Sequence, residues 1–195
     1  MAGSDPFAEP RTRELNRPRL EELLALTGKL RAAGIREGFP ERVGPGEAAL
    51  SMSAWGFFKA PAPGGFLLSV GQVADYAGDI RDCGTTACLG GYAAFHHPFN
   101  EQGLVSALTA TRRKRFLDGV DTAMLSPFTP IYEREDGAVF RSMPALMYFF
   151  GLTVEEFYTV FGPANPPSFG AAEERIRNLL NAPRFAGIAG EPRAE

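Results

Sequence analysis

The stretch Cys83-Gly84-Thr85-Thr86-Ala87-Cys88-Leu89-Gly90-Gly91 constrains this chain more than any other, because it joins a turn former, two capping residues and a run of small side chains in one place. Glycine at 84 permits a tight backbone turn, and a threonine oxygen at 85 or 86 can accept a hydrogen bond from the first amides of a following helix. The segment therefore predicts a helix over 86–96, with Pro98 forbidding much continuation. Ala87, Gly90, Gly91 and Ala94 give that helix a face of little bulk that invites close packing, while Cys88, Tyr92 and Phe95 lie on another. The fold is expected to be built around this helix.

The two cysteines admit four readings. As the chain's only cysteines they are too few for a disulfide framework, and small apolar core residues around a capped turn is the favoured one, following the burial habit of unpaired cysteine. A reversible disulfide needs the turn to bring the two Cα atoms within bonding range. A nucleophile at Cys83 draws on the positive end of a helix dipole, which favours thiolate, more at Cys83 than at Cys88. Such a nucleophile also needs a histidine within reach, and only His96 and His97 exist. Cys83 with His97 requires a chain reversal after Tyr92, so catalysis is disfavoured, and Cys83, Cys88 and His97 stand only as its candidates. Cys83, Cys88, His96 and His97 number enough ligands for zinc. Cys88 and His96 on one helix would, however, lie about 12 Å apart at about 1.5 Å per residue, so no metal site and no cofactor is expected.

Helical periodicity dominates elsewhere. Leu20, Leu23, Leu24 and Leu30 recur at helical spacing between Asn16, which can cap, and Gly34, which can end the helix, with Pro18 suited to a first turn. Residues 35–47 read as loop, Met52 and Trp55 as a short helical or turn segment, and 66–76 as a helix presenting Leu67, Val70, Val73 and Ala74 inward. A helix is predicted over 104–124, interrupted at Gly119. Residues 130–140 change period: β-formers flank Asp136-Gly137, the signal of a hairpin and the only sheet expected. Helices over 142–150, 153–161 and 170–180 complete the pattern, the second opening on the capping-box spacing Thr153 to Glu156. The expected fold is mainly α, a compact multi-helix domain over 16–182 with one small hairpin, between loose tails at 1–15 and 183–195.

At 195 residues, with 45% hydrophobic residues and 16 Phe, the chain can fill one sizeable core. A net charge of -3 supplies no long-range attraction to nucleic acid or anionic lipid. The most apolar run, 143–154, is shorter than the roughly 20 residues that cross a bilayer. Residues 1–10 lack the pattern of a secretory signal, so the expected location is the cytoplasm.

Met52-Ser53-Ala54-Trp55, then Cys83 to Ala93, then Gly151-Leu152-Thr153-Val154-Glu155-Glu156-Phe157 and Phe161-Gly162-Pro163, together resemble a widespread set of small uncharacterised bacterial and phage proteins. The hallmark of that set is a Cys-Gly-Thr-x-x-Cys-x-x-Gly segment between a Met-x-x-Trp piece and a Gly-Leu-Thr helix. The resemblance spans about residues 50–165 and carries no activity. It implies an intracellular accessory protein, often of mobile-element origin, to which the first helix and the hairpin are additions.

Two further clusters are candidates for binding. Phe149, Phe150, Phe157, Tyr158 and Phe161 sit at near-helical spacing on two helices; core packing is their ordinary use, and Phe149, Phe150, Phe157 and Phe161 become a partner surface if rings are exposed. Arg112, Arg113, Lys114 and Arg115 form the densest basic run, which wraps a helix rather than making a stripe. A solvated face is the favoured reading and a phosphate contact the alternative. Asp75, Asp79, Asp82, Asp118 and Asp121 show no calcium-loop spacing. A phosphate-binding glycine loop, a Gly-x-Ser-x-Gly elbow and a His-Glu-x-x-His helix are all missing from the sequence. The function expected is therefore binding to an unidentified protein or to a second copy, ahead of thiol chemistry or nucleic-acid binding.

Overall fold

The computed structural model of the chain describes residues 14–37, 48–50, 56–58, 85–113, 125–162 and 168–182. It is mainly α with a small β component. The helix α1 (Arg17–Ala32) begins where the sequence places it: the Asn16 side chain accepts from the Arg19 amide at 3.2 Å, Pro18 lies in the first turn, and Gly34 follows the end at φ +76°. Leu20, Leu23 and Leu26 form its buried stripe, with Leu24 and Leu30 packed partly buried against the same core.

Two three-stranded sheets follow. In the first, β1 (Ala48–Leu50) and β2 (Gly56–Phe58) flank β3 (Thr85–Ala87), which pairs parallel with β1 and antiparallel with β2. The predicted start of the central helix is corrected here. Residues 85–87 are a central strand, and the helix α2 runs only over Leu89–Phe95. Thr85 and Thr86 are β-branched residues suited to a pleated surface, and a strand on each side claims their backbone, which leaves capping to the next residue along.

A second turn of helix, α3 (His97–Asn100), tolerates Pro98 near its start and leads into β4 (Leu104–Ser106). The helix predicted from 104 is corrected likewise: its first three residues pair antiparallel with β5 (Pro130–Glu133), and helix begins only at α4 (Ala107–Arg113). A buried Ser106 hydroxyl accepts from the Thr109 amide at 3.0 Å, so the end of the strand is the cap of the helix. The hairpin of β5 with β6 (Val139–Arg141) stands as expected around Asp136-Gly137, with the Arg134 amide donating to the Ala138 carbonyl at 2.9 Å. It is one part of the sheet β4-β5-β6 rather than the only sheet of the chain.

Three helices close the described fold: α5 (Ser142–Phe150), α6 (Val154–Phe161) and α7 (Phe169–Asn181). The chain passes from β6 to α5 with no loop, and Ser142 absorbs the reversal at φ +57°, a left-handed conformation that costs a side-chain-bearing residue about 1–2 kcal/mol. The capping box of α6 is complete, Thr153 Oγ1 accepting from the Glu156 amide at 3.2 Å and Glu156 Oε2 from the Thr153 amide at 2.8 Å. The first amide of α7 donates to Glu37 Oε1 at 2.7 Å, a carboxylate 132 residues away in sequence.

One buried cluster joins these pieces, drawing on Leu20 and Leu23 of α1, Leu89 of α2, Phe99 of α3, Leu104, Phe149 and Phe150 of α5, Phe157 and Phe161 of α6 and Ile176 of α7. The rings of Phe99, Phe149 and Phe150 meet edge to face in all three pairings, with centroids 4.9 to 5.5 Å apart, the arrangement their quadrupoles favour. The α1–α7 seam is closed by Glu173, which accepts from the buried Thr27 hydroxyl at 3.2 Å and from Arg31 at 2.7 Å. Among the described residues no helix is long and apolar enough to cross a membrane.

The C-terminus of α5 is tied to the N-terminus of α1. The carbonyl of Phe150 accepts from the Asn16 amide at 2.9 Å and that of Phe149 from Arg19 Nη1 at 2.7 Å, so two carbonyls that a helix end leaves open are filled by another helix. Gly151 makes this approach feasible. It sits at φ +68°, and a Cβ on it would fall 2.1 Å from the Glu14 carbonyl oxygen. Gly151→Ala is therefore expected to destabilise the protein by more than the about 1–2 kcal/mol of the left-handed conformation alone, because the α1 start must also shift. Urea denaturation measures it, and an unchanged midpoint would contradict the close contact.

Candidate functional site

The described part of the cysteine segment is a junction. At its centre Cys88, in extended conformation, ends β3 and serves as N-cap of α2, its Sγ accepting from the Gly91 amide at 3.4 Å. The small residues that follow bring α2 into the interior: Leu89, Gly90, Gly91, Ala93 and Ala94 are all buried. Tyr92, one turn on, donates its hydroxyl hydrogen to the Ala49 carbonyl of β1 at 2.9 Å and meets the Phe128 ring edge-on. Phe95 packs against the same ring, with centroids 4.7 Å apart. The segment thus caps the helix through one sulfur and fastens it to the sheet through one phenol.

Two opposed effects act on the Cys88 thiol. Amide hydrogens of the helix start favour thiolate, as the sequence suggested for a cysteine beside a helix end, but burial penalises the charge far more, and the thiol is pushed up to about 11. Tyr92 is raised as well, by burial first and by its neighbour Cys88 second. A protonated, enclosed sulfur is a poor nucleophile and a poor ligand. Cys83, the residue for which a lowered pKa was expected, lies outside the described residues, as do Met52, Trp55, the segment 66–76 and Asp75, Asp79, Asp82, Asp118 and Asp121.

The contacts described for the two histidines run to carboxylates and to a phenylalanine ring. His96, whose side chain is 10% exposed, ends α2 and places Nε2 2.6 Å from Glu22 Oε1 on α1, while its ring meets Phe99 edge-on. Glu22 also accepts from Lys29 Nζ at 2.8 Å, and its carboxyl is held below the ordinary range by Lys29 first and His96 second. His97 stands in solvent, 3.8 Å from Glu101. Among the described residues no three His, Cys, Asp or Glu side chains group as metal ligands, and no buried side-chain nitrogen or oxygen lacks a hydrogen-bond partner.

The aromatic candidates divide. Phe149, Phe150, Phe157 and Phe161 are buried and belong to the core cluster, whereas Tyr158 on the same two helices is 56% exposed. Of the basic run, Arg112 and Arg113 belong to α4 (Ala107–Arg113), while Lys114, Arg115 and the side chains of the run lie outside the described residues.

A second aromatic group had no periodic signal in the sequence. Phe140 of β6 and Tyr148 of α5, both half-buried, stack with centroids 3.7 Å apart and planes 16° from parallel. The Arg134 guanidinium lies 5.5 and 5.6 Å from the two ring centroids, within cation–π range. Asp136 holds Arg134 from the hairpin turn through a two-pronged ion pair, which with the Ala138 amide draws the Asp136 carboxyl down to about 2. Val139, next to Phe140 on the hairpin, is 41% exposed. A hairpin and an α/β reversal together make the stack, so residues eight apart in sequence become neighbours.

Comparison with protein-family models, with curated proteins and with solved structures gives no match.

In a Cys83→Ser background, Cys88 is expected to resist thiol reagents at neutral pH until the protein unfolds; rapid labelling of the native state would contradict the enclosed sulfur. The raised thiol also has a consequence in alkali. Below pH 9 both folded and unfolded thiols are protonated, and between about 9 and about 11 only the unfolded one ionises, so the contribution is lost as pH rises, at up to about 1.4 kcal/mol per pH unit. The stability difference between the Cys83→Ser protein and its Cys88→Ala derivative should shrink over that window. Glu22 has the opposite sign. Its depressed carboxyl contributes stability above the ordinary value of 4.5 and loses it as pH falls through the folded value. Glu22→Gln is expected to flatten the acid limb of the stability curve, and an acid limb identical to wild type would refute the Lys29–Glu22–His96 linkage.

Proposed function

We propose that this chain is a non-enzymatic accessory protein that acts by binding another protein or a second copy of itself, with the hairpin face as its contact surface. One observation carries the reading: the half-buried Phe140–Tyr148 stack with Arg134 at its side, next to exposed Val139, is an aromatic and cationic group at the edge of the core. Tyrosine and arginine are the residues that most often supply binding energy at protein interfaces, and here both are fixed before any partner arrives. The hydrogen bonds and ion pair from Asp136 hold Arg134 in place, so little side-chain freedom is lost on contact.

Among the described residues, the groups that thiol chemistry would use are engaged elsewhere. The Cys88 sulfur is a helix cap, His96 is engaged by Glu22, and the four core phenylalanines hold the helices together. Contact therefore falls to the partly buried rings at the edge of the core rather than to Phe149, Phe150, Phe157 and Phe161. A cytoplasmic accessory role, of phage or mobile-element origin, agrees with what the Cys-Gly-Thr-x-x-Cys-x-x-Gly resemblance implies.

The test pairs the wild-type protein with a Val139→Thr, Tyr148→Ser variant of verified thermal stability. Light scattering across a concentration series reads self-association, and crosslinking with mass spectrometry reads a different partner. The proposal expects one of the two to be present in wild type and at least tenfold weaker in the variant. A wild-type monomer with no crosslinked partner overturns it, and so does association that the variant leaves intact.

A further inference from the structure

We draw no further inference here: the strongest candidate, the half-exposed Phe140–Tyr148 stack with Arg134 and Val139 on the β5–β6 hairpin, belongs to the surface already proposed for partner contact, and nothing in the structure shows what covers it.

Discussion

The described fold depends on a meeting of helix ends. Where α5 stops, its Phe149 and Phe150 carbonyls face outward from the helix with no intrahelical donor, and the start of α1 supplies both bonds, one from the Asn16 amide and one from Arg19. Arg19 does more than donate. Its guanidinium lies 4.0 Å from the Phe149 ring centroid and also donates to Gln102 beyond α3, so one side chain joins three segments. The contact is close because Gly151 has no Cβ to keep the backbones apart. From that joint α5 carries Phe149 and Phe150 into the interior, where edge-to-face contacts with Phe99 link them to α3. Burying a side chain of this size contributes about 1.5–3 kcal/mol, which makes the ring cluster the main apolar gain that the joint positions.

The cysteine junction shows how location decides chemistry. A sulfur beside exposed helix amides is the usual recipe for a reactive thiolate. In this fold the same amides meet a buried sulfur, where the cost of burying a charge outweighs their attraction. What remains of the interaction is geometric: Cys88 turns the chain from strand to helix, and the small residues after it let α2 sit inside the core. Tyr92 then returns a hydrogen bond to β1, so the mixed sheet and the helical core are held in common.

The proposed contact lies at the edge of the core for the same reason. Cys88 and His96 are engaged by neighbours inside the described fold, and the half-buried Phe140–Tyr148 stack with Arg134 is the group on which the proposed contact rests. Its members come from a strand and the helix that follows it directly, across the strained Ser142.

Much of the helical architecture was legible in the residues alone. The leucine spacing and Asn16 cap of α1, the Thr153–Glu156 capping box and the Asp136-Gly137 turn act over three or four residues, and the structure keeps each of them. The misreadings share a cause. Residues 85–87 and 104–106 carry patterns a helix could accommodate, and each became strand because a distant segment pairs with it, β1 and β2 in one case and β5 in the other. Likewise the local pattern of turn former, capping residues and small side chains placed a helix start within this segment, but at Thr85 or Thr86 rather than at Cys88, which the structure makes the cap. Only the tertiary structure decided that Cys88 is enclosed and protonated, that Phe149 and Phe150 lie in the core, and that Phe140 meets Tyr148 at its edge. Burial and cross-strand pairing are set by which remote surfaces come together, and no short-range pattern encodes that.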